Sequence, residues 1–242
     1  MQSTTLIVGA NGGVGSCSVK HLVAKGEHVH LLGRNQEALE DLASKYAMPY
    51  VVVDPTDPSN LSQAFMSIAN TFKIKAVVNC VGSILLRPVH LMSMKDWSQT
   101  IHTNLGSAFA CVQASIKVML PQNSGHIVLF STAACEIGLA NHEAISAAKA
   151  GVVGLMKSAS ATYAHNRIQI NCIAPGMVDT PLSAKILANP KAREVSVRAH
   201  PLGKIGAPED VVSLLLWLLD NSWATGQVYT VDGGLSSIKD VR

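Results

Sequence analysis

Residues 4–15 read TTLIVGANGGVG: an apolar, β-branched run at 4–8 enters the turn Gly9-Ala10-Asn11-Gly12-Gly13-Val14-Gly15 and continues into an amphipathic stretch ending at Gly26. The order spells strand, glycine turn, helix. Gly9 permits the tight turn, Gly13 lets backbone approach a pyrophosphate, and Gly15 lets the helix pack closely. The helix N-terminus then offers free N–H groups to the anion. A dinucleotide is the ligand this geometry predicts. The spacing is GxxxGxG and not GxGxxG, so the flanking strand and helix carry the reading.

Outward from the loop, short β-branched runs near 28–32, 50–53, 75–80, 126–131, 167–173 and 227–231 alternate with helical patterns. That alternation predicts an α/β chain: a Rossmann-type, doubly wound parallel sheet in three α/β/α layers. Pro49, Pro121, Gly125, Pro175 and Gly226 fall at element boundaries, and no repeat or linker divides the 242 residues, so a single domain over 1–242 is expected. Ligands of such sheets bind at the carboxyl ends of the strands.

Composition narrows the function classes. With 48% apolar residues, a net charge of +3 and scattered lysines and arginines, the chain has no basic stripe for nucleic acid. Cys17, Cys80, Cys111, Cys135 and Cys172 are odd in number and form no CxxC pair, which argues for free thiols in a reducing compartment, with neither a metal nor a disulfide framework. The N-terminus enters the strand without a leader, and the longest apolar stretch, 211–219, is too short to cross a bilayer. A soluble, cytoplasmic protein without membrane contact is the expectation.

Further landmarks lie at the strand ends. Val8 precedes the glycine loop where a TGxxxGxG pattern has threonine; Asn79-Cys80-Val81-Gly82 resembles NNAG; Asn104 sits in TNLGS; Gly125-His126-Ile127-Val128 opens another strand. Lys149, Pro175-Gly176 with Thr180, and Asp232-Gly233-Gly234 follow in order. Together these resemble the short-chain dehydrogenase/reductase family over essentially the whole chain. The resemblance implies a cofactor cradle of Gly9, Asn11, Gly12, Gly13, Val14 and Gly15, with Asp54 and Pro55 at the adenine. It implies Asn79, Val81 and Gly82 near the ribose, and Pro175, Gly176, Val178, Thr180 and Lys149 toward the nicotinamide. It also implies a substrate lid over about 182–204, and a homodimer or homotetramer built through long helices and the C-terminal strand. The apolar character of 147–164 and 211–219 agrees with faces buried on both sides.

At the end of the second strand, where NAD-specific folds place a carboxylate on the ribose, stands Gly33, followed by Arg34. With no acid to repel a 2′-phosphate and a guanidinium to bind it, NADP(H) is favoured, with NAD(H) as the alternative.

The catalytic pattern departs from the resemblance. The family uses a tyrosine four residues before the lysine; here that residue is Ile145, which transfers no proton. Thirteen residues earlier stands Thr132 in place of serine; Ser131 is disfavoured because adjacent strand residues face opposite sides. Asn104, Thr132, His142 and Lys149 are therefore the candidate catalytic residues. If the helix already runs through His142, that side chain shares a face with Ile145 and Lys149 and can replace the acid. Otherwise it is a solvated residue at a helix start capped by Asn141. A water chain held by Asn104 and Lys149 is the other proton route. In the lid, Lys185, Lys191, Arg193, Arg198 and Lys204 stand against Glu194, either as a steering surface for an anionic substrate or as the wet face of a helix.

Three functions remain in view: an NADP(H)-dependent carbonyl reductase or alcohol dehydrogenase with an unorthodox proton donor; an NADP-binding protein without turnover, with a regulatory or partner-binding role; and a non-redox isomerase or lyase on the same scaffold.

Overall fold

The computed structural model describes residues 1–239, so the last three positions of the expected 1–242 domain lie outside the described residues. Among those described, seven strands form one sheet: β1 (Ser3–Val8), β2 (Val29–Gly33), β3 (Tyr50–Val52), β4 (Lys73–Asn79), β5 (Gly125–Phe130), β6 (Ile168–Pro175) and β7 (Val228–Val231). Their order is β3-β2-β1-β4-β5-β6-β7, and every neighbouring pair is parallel. The connecting helices are α1 (Gly13–Ala24), α2 (Gln36–Tyr46), α3 (Pro58–Ala69), α4 (Met94–Ile101), α5 (Ser107–Met119), α6 (Ala134–Ile137), α7 (Glu143–Tyr163), α8 (Ala184–Leu187), α9 (Pro190–Ala199) and α10 (Pro208–Asp220).

The period-2 alternation of the strands builds the three layers. In β1, Leu6 and Val8 pack with Phe65, Cys111 and Met156 beneath α3, α5 and α7. Ile7 between them faces the opposite core, with Leu22, Leu39 and Leu215 of α1, α2 and α10. Both faces are covered, as a parallel sheet requires. The strand order reverses between β1 and β4, which leaves a crevice where their carboxyl ends meet, and the Cys80 N–H donates to Val8 O at 2.8 Å there.

Side chains cap α2, α3 and α4 through Asn35, Asp57 and Ser93. Helix α1 differs: its N-cap is Gly12, in an extended conformation with no side-chain cap, so the first-turn N–H groups stay available to a ligand. A π-helical turn, His102–Gly106, separates α4 from α5; the sequence pattern did not announce it, because a one-residue bulge leaves hydrophobic periodicity almost intact. Among the described residues no helix is long and apolar enough to cross a membrane.

Candidate active site

The glycine loop is built by contact constraints. Gly9 has φ +80°, and a Cβ on it would lie 3.2 Å from the Cys80 carbonyl carbon. A Cβ on Gly15 would lie 2.3 Å from Gly9 O, so only glycine lets α1 start this close to the turn. At Gly13 the obstacle is Thr180, whose Cβ would stand 2.7 Å away. Gly13 therefore also makes room for the 175–181 segment to close over the loop, a role the sequence reading did not assign. Asn11 and Gly12 complete the turn, with Asn11 Oδ1 only 3.0 Å from where a Gly33 side chain would begin. Val14 lines the main pocket.

At the other end of the crevice, Arg34 is exposed just past β2 and lines a groove with Asp54 and Asn60. Burial alone would raise the Asp54 carboxyl. Hydrogen bonds from the Thr56 N–H (2.9 Å) and hydroxyl (2.7 Å), together with the Arg34 and His102 charges, outweigh it and hold the group below its ordinary value. Pro55 is buried beside it. Asn79 is buried at the end of β4 and accepts from the Val81 N–H at 3.2 Å, turning the chain toward Gly82.

Gly82, Asn104 and Lys149, far apart in sequence, meet here: a Cβ on Gly82 would lie 3.2 Å from Asn104 Oδ1 and 3.6 Å from Lys149 Nζ. Lys149 is 8% exposed, its ammonium donates to Phe130 O at 2.9 Å, and burial lowers it to about 8 from 10.5. Asn104, in the π-helical turn, donates to Thr100 O (2.9 Å) and Ser83 Oγ (3.0 Å) and accepts from the Ser83 N–H (3.1 Å). Its amide is thus spent on fixing the 82–83 turn, leaving the pocket little beyond the second lone pair of Oδ1. Ser131 turns inward and donates to Lys149 O at 3.2 Å. Thr132 stays partly exposed in the pocket, its Oγ1 accepting from the Ala134 N–H at 3.3 Å and its O–H free to donate.

Ile145 is 5% exposed and lines the same pocket. Helix α7 begins at Glu143, so it does not run through His142, and the shared-face condition fails; Asn141 is not the cap either, having φ +66°. His142 nonetheless lines the pocket from the cap position, its Nδ1 held to Ala140 O at 2.8 Å. The bond assigns the proton to Nδ1 and leaves Nε2 unengaged.

The pocket, of about 710 Å³, is roofed by α8 and α9 and is mostly apolar, with Ile84, Leu139, Met177, Leu182 and Val195 in its wall. The lid cations are largely neutralised: Arg193 pairs with Asp179 (3.7 Å), Arg198 with Glu194 (3.9 Å) and Lys204 with Asp210 (3.3 Å). Among the described residues Lys185 and Lys191 make no such pair, and of the five only Lys191 lines the pocket. The 182–204 segment is anchored by His200. It is buried, its Nδ1 bonds Ser196 O (2.6 Å), and its Nε2 accepts from the Met177 N–H (3.1 Å). Pro175 ends β6 and Gly176 follows it, where a Gly176 Cβ would strike His200 Nε2 at 2.6 Å; Val178 bridges to Gly206.

With this geometry in place, the chain matches known proteins over nearly its whole length. The family model described as Enoyl-(Acyl carrier protein) reductase matches residues 9–236. The chain belongs to the short-chain dehydrogenase/reductase family. It is 33% identical to the 3-oxoacyl-[acyl-carrier-protein] reductase FabG of Chlamydia muridarum, with 98% of each chain covered. It is 32% identical to Carbonyl reductase family member 4 of Danio rerio, covering 97% of this chain and 98% of that one. Among solved structures, ElxO with NADP bound is 26% identical with a TM-score of 0.92, over 98% of this chain and all of the other. A variant of ElxO with phenylalanine in place of a tyrosine, with NADPH bound, is 27% identical with a TM-score of 0.91, at the same coverage. These relations place the chain in a family of oxidoreductases acting on C=O and CH–OH groups.

Proposed function

We propose that this short-chain dehydrogenase/reductase is an NADP(H)-dependent carbonyl reductase or alcohol dehydrogenase for an apolar substrate, with Lys149 as the source of the proton. The observation that carries this is the buried ammonium of Lys149 beside Gly82, in a mostly apolar pocket that Thr132 and Val14 of the glycine loop also line. The residues present fit the dinucleotide: uncapped N–H groups at α1 for the pyrophosphate, an exposed Arg34 for a 2′-phosphate, and the side-chain-free Gly82 at the pocket beside Lys149. The names of ElxO with NADP and with NADPH bound support the same choice.

When bound, NADPH supplies the hydride. The Thr132 hydroxyl donates a hydrogen bond to the substrate oxygen and orients it. Lys149, lowered to about 8, holds a proton that it passes through water to that oxygen, and His142 at the pocket mouth exchanges protons with solvent. Ile145 adds apolar wall where the family has a hydroxyl, which favours an aliphatic or alicyclic carbonyl. The names of the relatives, a 3-oxoacyl reductase and a carbonyl reductase, agree with this class.

The deciding experiment is a fluorescence titration with NADPH and NADH, followed by cofactor-oxidation assays over ketones and 3-oxoacyl thioesters. Turnover with tight NADPH binding supports the proposal; no binding of either nucleotide overturns it. Tight binding without turnover supports the second reading, a cofactor-binding protein with a regulatory role, which the buried Ile145 favours.

Three further outcomes are expected. Arg34→Asp weakens NADPH by about tenfold or more and NADH little, the size of one lost charge-assisted bond, as read by the same titration. His142→Ala lowers turnover by less than about tenfold without changing NADPH affinity, since the residue exchanges protons with solvent and does not transfer them to substrate. The rate at limiting NADPH, which reports the free enzyme, falls above about pH 8 as Lys149 loses its proton. The homodimer or homotetramer is supported by an apolar groove of Ile101, Leu105, Phe109 and Leu155 along α4, α5 and α7.

A further inference from the structure

Away from the pocket, α1 and α10 pack together, and three side chains of different chemistry converge on their seam. Cys17 and His21, four residues apart, share one face of α1, and Glu209 comes from the first turn of α10. Their donor atoms all lie within 4.8 Å of one another. Among the described residues this is the one such grouping of histidine, cysteine and acidic side chains. We propose that Cys17, His21 and Glu209 form a binding site for a borderline-soft divalent cation of the zinc type.

Two independent observations support it. The first is the donor set: one sulfur, one imidazole nitrogen and one carboxylate oxygen suit zinc, whereas magnesium and calcium take oxygen donors. Tetrahedral zinc, with bonds of about 2.0–2.3 Å, places its donors roughly 3.3–3.7 Å apart, so the three close on the ion with movements of about 1 Å. Glu209 is exposed enough to make most of that movement. The second is His21 itself: Nε2 is buried and has no hydrogen-bond partner, a rare state for a ring nitrogen and one that a cation relieves. Lys20 approaches Glu209 at 3.9 Å, with both side chains more than half exposed; that ion pair is loose and gives way to the metal.

On binding, the Cys17 S–H bond breaks, a metal–sulfur bond forms and the proton passes to solvent; no electron is transferred. Water takes the fourth position. The bound ion ties the helix that starts at the glycine loop to α10, so it stabilises the fold without entering the catalytic pocket. Spacing along the chain does not show this site, because its third ligand comes from a helix near the other end of the sequence.

The test uses the full chain and Co²⁺ as a spectroscopic probe, with Zn²⁺ as competitor. The expected result is a thiolate-to-cobalt charge-transfer band with tetrahedral visible bands, abolished by Zn²⁺ and absent in Cys17→Ser, although the other four cysteines remain. Glu209→Gln, a surface change that leaves folding intact, should weaken Co²⁺ binding at least about tenfold, and Zn²⁺ should raise Tm in the parent chain but not in this variant. Each variant is first shown to be folded by circular dichroism. If Cys17→Ser does not fold, His21→Gln and Glu209→Gln decide. Lack of a thiolate band in the parent, a band that survives Cys17→Ser, or affinity unchanged in Glu209→Gln overturns the proposal.

Discussion

Lys149→Met is expected to lower carbonyl reduction by about two to four orders of magnitude, the span of a lost general acid, while making the protein more stable at neutral pH. The two effects share one cause. Burial lowers the ammonium from 10.5 to about 8, so below pH 8 the folded state carries a charge that the unfolded chain holds at less cost. The difference amounts to about 3 kcal/mol, offset by about 1 kcal/mol for the lost bond to Phe130 O. The sign follows from linkage: with the folded value below the unfolded one, the parent gains stability as pH rises from about 8 toward 10.5. Thermal melts of parent and variant should therefore differ most at pH 7 and converge in that window. Steady-state assays beside those melts separate catalysis from folding: a variant that loses activity because it melts earlier would refute the role given to Lys149.

Ile145→Tyr is the reverse experiment, and a gain of about two orders of magnitude in kcat is expected from it. Ile145 lines the pocket one helical turn before Lys149, so a phenol there extends into the cavity of about 710 Å³ and not into the core. Overpacking costs about 1–3 kcal/mol of stability, which a fold of this size tolerates. NADPH affinity should stay the same, because Ile145 is not among the residues assigned to the cofactor. A gain in kcat with unchanged NADPH titration would show that the proton donor alone limits the parent. An unchanged kcat on substrates that the parent turns over would show that Lys149 and water already deliver the proton as fast as the rest of the cycle requires.

Much of the fold was readable from local patterns. The β1 run, the glycine loop and α1 are contiguous, and the β-branched runs at 28–32, 50–53, 126–131 and 167–173 correspond to strands of the sheet. Strand β4 begins at Lys73, earlier than its apolar run suggests, because the polar residues at its start pair with β1 through backbone alone. The π-helical turn and the true start of α7 escaped for a related reason: both turn on one residue's backbone conformation, to which side-chain periodicity is insensitive. For His142 that insensitivity mattered, since its place at the cap, outside the helix, changes how it reaches the pocket.

By itself, the sequence determined the glycine loop, the alternation that demands a parallel sheet and the family, and it raised the expectation that Ile145 stands where the family has a hydroxyl. Each of these is written in residues adjacent in the chain or at fixed helical spacing. Only the tertiary structure decided that Asn104 spends its amide largely on the 82–83 turn, and that Ser131 and Thr132 both line the pocket, with the Ser131 hydroxyl donated to Lys149 O and Thr132 left partly exposed. It alone showed that His200 ties the lid to Met177, and that Cys17 and His21 meet Glu209. Those outcomes depend on which strand ends and helices become neighbours once both faces of the sheet are buried. That is settled by packing the whole chain at once, because no local rule relates residues so far apart.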